Sequence, residues 1–174
     1  MIQIRQGVFE TNSSSTHAIS ICEFRPNTAL PEVVLFETNQ DFGWEFEDYT
    51  DVYSKANYLW LAICYKYNNL GQEDELIRAK STLTQYLERI GVRAEFEDCR
   101  YVESEWYDDM YINMRGYIDH PEDLYELVNA VLERPELLYG YLFNSDSVVS
   151  TGNDNDDRRV NYSENAVFGV YKGN

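Results

Sequence analysis

An α+β fold, with a mixed or antiparallel sheet packed against about three helices, is what the hydrophobic periodicity of this chain predicts. Apolar and polar residues alternate near both ends, the period of a half-buried strand, whereas the middle carries apolar residues at helical spacing. The length of 174 residues suits one domain. A chain of this size buries roughly two thirds of its unfolded surface around one core. Residues 1–174 therefore read as a single acidic domain, with an exposed polar loop at 144–160.

The elements follow in order. Residues 2–9 and 18–24 alternate and read as strands, with the hydroxyl-rich stretch Asn12, Ser13, Ser14, Ser15, Thr16, His17 in their connection. Pro26 and Pro31 bracket a loop, and Val33–Phe36 reads as a more fully buried strand. Thr50 or Asp51 caps a helix that runs to Leu70, with Gly71 as its stop. Val52, Ala56, Leu59, Trp60, Ile63, Cys64 and Tyr67 wrap nearly all round it, so it is expected to be covered on several sides.

A second helix spans residues 73–90, with acids in its first turn, Arg89 in its last and Gly91 beyond. Leu76, Ala79, Leu83, Leu87 and Ile90 form its stripe. Residues 93–96 and 110–117 are strand candidates in a tyrosine-rich region. Asp119 or His120 then caps a third helix with Pro121 at its first position, carrying Leu124, Leu127, Val128, Val131 and Leu132 on one face. Pro135 ends it, and residues 136–143 add a further helical turn or two. Residues 144–159 are polar and turn-rich, and residues 167–171 return as a last strand.

Charge dominates the composition: 31 acids against 14 bases give a net charge of −17. Such a field repels phosphate backbones, so direct nucleic-acid binding is disfavoured and a basic protein partner is favoured. The aromatic share is 15% and tyrosine alone contributes 15 residues, side chains that suit surfaces meeting a partner as well as core edges. Cys22, Cys64 and Cys99 are odd in number and widely spaced, which argues for a reducing compartment. The start of the chain shows no signal-peptide pattern and no stretch is apolar enough to span a bilayer, so the protein is expected in the cytoplasm of a host cell.

Three readings of the Asn12–His17 stretch stay open. Its hydroxyls satisfy backbone groups in a tight turn; or they cradle an anion such as a nucleotide phosphate, with Asp154–Asp157 closing over it; or a serine acts as nucleophile with His17 as base. No Gly-x-Ser-x-Gly elbow and no P-loop pattern accompanies it. No cofactor or metal is expected, because two histidines and three cysteines show no paired spacing. A calcium-loop frame from Asn153 fails with Arg158 where glycine is required.

Two acid–aromatic clusters carry more weight. Residues 41–51 hold five acids, four aromatics and no base, and residues 95–109 hold seven acids against Arg100. Carboxylates interleaved with rings offer charge together with flat apolar area, the mixture that fits a basic surface built to read nucleic acid. The candidate partner-binding residues are Asp41, Trp44, Glu45, Glu47, Asp48, Glu103, Glu105, Trp106, Tyr107, Asp108 and Asp109. Aromatics facing a core and acids facing water would produce the same alternation.

The string "IRQGVFETNSSSTHAISI" resembles the N-terminus of small uncharacterised proteins encoded by phages and prophages of Gram-positive bacteria. The resemblance covers residues 3–21, with a fainter echo in "NSDSVVSTGNDND" at 144–156. It implies a phage context, and by analogy of class an acidic counter-defence protein of the anti-CRISPR or nucleic-acid-mimic type. The expected partner is then a host nuclease or CRISPR effector.

Overall fold

A computed structural model describes residues 15–25, 27–43, 45–68, 72–99, 101–103, 110–153 and 163–172. The strand expected over residues 2–9, the helix stop at Gly71 and residues 154–160 of the polar loop lie outside these residues; residues 148–153 of that expected exposed loop instead form a strand, with Val148 to Thr151 buried.

The architecture is α+β. Its main sheet is antiparallel, in the order β3-β7-β1-β8. Strand β1 (Ser15–Cys22) lies inside the sheet, paired on one side with β7 (Val148–Asn153) and on the other with β8 (Ala166–Lys172). Strand β3 (Glu47–Tyr49) adds to β7. Ser15 and Thr16 therefore do not lie in a connection, as the sequence suggested. They pair with Asn153 and Gly152, extending the ladder beyond the apolar run. Small and β-branched hydroxyl residues fit a buried strand once its backbone bonds are made.

A separate parallel pair joins β2 (Val33–Phe36) to β4 (Arg93–Phe96), and β5 (Tyr101–Glu103) pairs with β6 (Met110–Ile112). Between β3 and β4 run α1 (Val52–Lys66) and α2 (Glu73–Glu88). Asp51 caps α1, its carboxylate accepting from Ser54 N at 2.8 Å. Every residue from Ser54 to Cys64 is buried, as the all-round apolar pattern predicts. Trp60 packs edge-on to Phe36 and Phe96, which stack on each other at 4.7 Å across the β2–β4 pair.

The chain after β6 makes a 3-10 turn over Pro121–Leu124 before α3 (Tyr125–Glu133), so Pro121 opens that turn rather than the α-helix itself. Pro135 starts a fourth helix, α4 (Pro135–Phe143), because Arg134 is extended between the two. Helix α4 lies against β1 at a distance that requires Gly140: a Cβ there would sit 2.2 Å from the Cys22 carbonyl oxygen.

Lys55 is wholly buried on α1, and its Nζ donates to Asn144 O at 3.0 Å and Ser147 O at 3.3 Å, just past the C-terminus of α4. A cation there meets the negative end of the helix dipole. Burial lowers the ammonium from its ordinary 10.5 to about 8, while the Asp51 carboxylate pulls the other way. The neutral amine still has two N–H donors for its two carbonyls, so deprotonation need not break the contact.

Two outcomes are expected. Gly140→Ala should cost on the order of 1–3 kcal/mol through overpacking against β1, read by urea unfolding. Lys55 holds its proton less tightly when folded, so between pH 8 and 10.5 the unfolded chain binds more protons and stability rises with pH. Compared with Lys55→Met at each pH, wild type should therefore gain up to about 3 kcal/mol across that window and show no further change below it.

Candidate functional site

The chain segment between β2 and β3 crosses the end of the main sheet. Phe42 N donates to Tyr117 O at 2.9 Å, and Asp119 N to Phe42 O at 3.0 Å, a short parallel bridge. Phe42 turns inward, edge-on to Tyr58 at 5.0 Å and to Tyr49 at 4.9 Å. Gly43 follows with φ of 143°, where a side chain would be strained, and a Cβ there would lie 2.8 Å from Asp119 Cβ and 3.4 Å from Ser15 Cβ. This glycine lets the segment close directly over the start of β1.

With Phe42 inward, its acidic neighbours face water. Asp41, Gly43, Glu45, Glu47, Tyr49 and Tyr117 line a groove of about 310 Å³. Asp41, Glu45 and Glu47 are exposed, and no ion pair among the described residues engages them. Tyr49 donates its hydroxyl to Glu47 Oε2. Burial first, then the Glu47 bond and charge, pushes its pKa far up, so the phenol remains a donor. The main chain of Glu45 is fixed by Thr151 Oγ1, which donates to its carbonyl at 2.8 Å.

Behind the groove, His17 is wholly buried. Its Nε2 lies 3.0 Å from Ser15 Oγ and its Nδ1 2.9 Å from the Tyr58 hydroxyl. Ser15 Oγ also reaches Asp119 O at 3.4 Å, and a carbonyl can only accept. One proton arrangement serves all three links: Tyr58 donates to Nδ1, Nε2–H donates to Ser15, and Ser15 donates to Asp119. Burial holds the Tyr58 pKa well above the ordinary value, consistent with its role as donor. In that arrangement the imidazole donates to the serine oxygen and does not act as its base. Ser15 is 3% exposed, so a substrate has no approach to it.

Two regions singled out in the sequence are thus brought together across Gly43: Asp41, Glu45 and Glu47 outside, Ser15 and His17 inside. Thr16 lies beside them in β1, paired with Gly152, and Asp48 is exposed on β3, facing Ser150 in the ladder. The backbone of Glu103 is in β5, opposite Met110. Trp44, Glu105, Trp106, Tyr107, Asp108 and Asp109 lie outside the described residues, as do Asn12, Ser13 and Ser14.

Gly43, Tyr49, Tyr58 and Tyr117 belong to this site and were not singled out. Tyr49 sits within the first acid–aromatic cluster and was available to composition. Tyr58 and Tyr117 reach the site only through tertiary packing. A second cavity, of about 370 Å³, is lined by Cys22, Phe24, Arg25, Asn144, Asn165 and their neighbours. Its Arg25 pairs with Asp146. Among the described residues no group of three His, Cys, Asp or Glu side chains is placed to hold a metal ion, and no helix is long and apolar enough to cross a membrane.

No protein-family model, curated protein or solved structure matches the chain.

The buried chain of bonds makes a testable claim about stability. Tyr58→Phe leaves His17 Nδ1 without its donor inside the core and should cost about 1–3 kcal/mol in urea unfolding. Ser15→Ala, which takes away the acceptor of the buried His17 Nε2–H, should cost a similar amount.

Proposed function

We propose that this is a non-enzymatic binding protein that seats its acidic groove on a basic surface of a nucleic-acid-handling protein, such as a host nuclease or CRISPR effector. One observation carries this reading: Asp41, Glu45 and Glu47 converge on a groove floored by phenol rings, with no Lys or Arg of the described residues paired to them. Carboxylates gathered in this way attract the guanidinium and ammonium groups that otherwise hold phosphates. Tyr49 and Tyr117 add ring surface on which an arginine can stack. The net charge of −17 steers such a partner from a distance and turns nucleic acid itself away.

The rival reading, an anionic ligand or an enzyme site at Ser13–His17, has less support. Its described members Ser15 and His17 are engaged in internal bonds, and the nearest opening is lined with carboxylates that repel an anion.

The test separates groove from bulk charge. A nine-arginine peptide is titrated calorimetrically into wild type, into the groove triple Asp41→Asn, Glu45→Gln, Glu47→Gln, and into a control triple Asp74→Asn, Glu88→Gln, Glu136→Gln on exposed helix positions. Both triples change net charge equally. The groove triple should weaken binding about tenfold and the control about twofold or less, and wild-type affinity should fall steeply as salt shortens the screening length toward about 8 Å. Equal losses in the two triples would reduce the effect to net charge and remove the groove from the proposal.

A further inference from the structure

Asp41 and Tyr117 line the acidic groove from two different segments, the strap that follows β2 and the stretch that follows β6. What joins those segments lies outside the groove. Thr38, wholly buried on the strap a few residues before Asp41, donates its N–H and its hydroxyl to Glu97 Oε2, both at 2.7 Å. Arg115, just before Tyr117 in the chain, donates Nε–H to Glu97 Oε1 at 2.6 Å. Its backbone N–H in turn donates to Thr38 Oγ1 at 3.2 Å. Glu97, Thr38 and Arg115 thus close a ring of hydrogen bonds around one carboxylate.

Both Glu97 oxygens receive donors, so an amide in its place would turn an NH2 group toward either the Thr38 N–H and O–H or the Arg115 guanidinium. One side of the ring must then break. Burial opposes the charge on Glu97, but the bonds from Thr38 and Arg115 prevail and hold its carboxyl below the ordinary value. The residue is itself fixed at the end of β4, where its N–H donates to Phe36 O at 2.8 Å. Next to the ring the two segments touch: Gly116 N donates to Thr38 O, and a Cβ on Gly116 would overlap the Gln40 carbonyl. Beyond it, Phe42 N donates to Tyr117 O at 2.9 Å.

We propose that Glu97 is a positioning residue for the acidic groove, latching the Thr38 strap to the Arg115 segment so that Asp41 and Tyr117 keep the spacing that admits a basic side chain. The inference rests on the groove being the docking surface for a basic partner. Glu97 does not line the groove, and its charge is engaged by Thr38 and Arg115, so it acts on the groove through shape rather than attraction. Coupling of this kind is reciprocal, and a partner seated in the groove tightens the latch in return.

The nine-arginine peptide is titrated into wild type, Glu97→Gln, Thr38→Val, Thr38→Ser and the control Glu95→Gln, an exposed β4 residue paired with Arg93 at 3.0 Å. Thr38→Val removes a hydroxyl and no charge, and Thr38→Ser returns the hydroxyl. Glu97→Gln and Thr38→Val should each weaken binding about fivefold, Thr38→Ser should recover most of that loss, and Glu95→Gln should change affinity by about twofold or less. Hydrogen exchange on the unaltered chain gives a second reading: saturating peptide should slow the Thr38 and Gly116 amides about twofold or more. Glu97→Gln and Thr38→Val that bind as well as Glu95→Gln would overturn the latch, and so would exchange at those two amides that the peptide leaves unchanged. The wild-type measurement decides the matter even if a variant fails to fold. Failure of the latch leaves the groove triple still weakening binding, whereas failure of the groove makes the groove and control triples equal.

Discussion

Helix α1 has almost no face toward water, and that constraint organises the rest of the molecule. From Ser54 to Cys64 every side chain is buried, yet the stretch includes Ser54, Lys55, Asn57, Tyr58, Trp60 and Cys64, all with polar atoms. A buried polar atom without a partner costs about 1–3 kcal/mol, so partners are supplied for most of them. Asn144 and Ser147 receive Lys55; Tyr53 O and Asn39 N meet Asn57; His17 meets Tyr58; the Trp60 Nε1 is left without a partner among the described residues. The serine–histidine–tyrosine chain and the Lys55 contacts beyond α4 are thus two answers to one demand made by the same helix.

The acidic groove follows from the opposite side of that packing. Phe42 must enter the core to close over Tyr58, which throws Asp41 outward. Gly43 then permits the chain to reach the sheet edge, where Glu45 and Glu47 are exposed and Glu47 is held by the Tyr49 hydroxyl. Inward aromatics and outward acids are consequently not rival descriptions of this stretch. The first creates the second, and the turn imposed by Gly43 gathers carboxylates that a straight strand would have spread along its length.

The sequence carried much of this plainly. Apolar residues on every side of 52–66 announced a covered helix, and the stripe at Leu76, Ala79, Leu83 and Leu87 announced a half-covered one, because burial leaves its mark in local periodicity. Pro135 was ambiguous on physical grounds: a residue that cannot continue one helix is well suited to begin another, and only the extended Arg134 decides between them. Lys55 gave no signal at all, since a lysine within a helix is normally exposed and its carbonyl partners lie about ninety residues away. The same holds for His17 and Tyr58, separated by 41 positions. Ser15 and Thr16 read as loop because hydroxyl residues favour turns, and strand pairing with β7 overrode that preference.

The few basic side chains show where charge has been neutralised and where it has been left. Arg115 lies between Glu97, at 2.6 Å, and Glu37, at 3.5 Å, so one guanidinium offsets two acids, Glu97 just after β4 and Glu37 on the strap that leads from β2 toward the groove. The bond from Gly116 N to Thr38 O fastens that strap to the segment bearing Tyr117. A few residues further along, Asp41, Glu45 and Glu47 receive no such cation. Exposed like charges repel one another modestly in water, by about 1 kcal/mol per pair near 4 Å, so their convergence is a cost to the free protein. That cost is relieved when a cation enters the groove, and so the groove's electrostatics favour a bound basic partner over the free state.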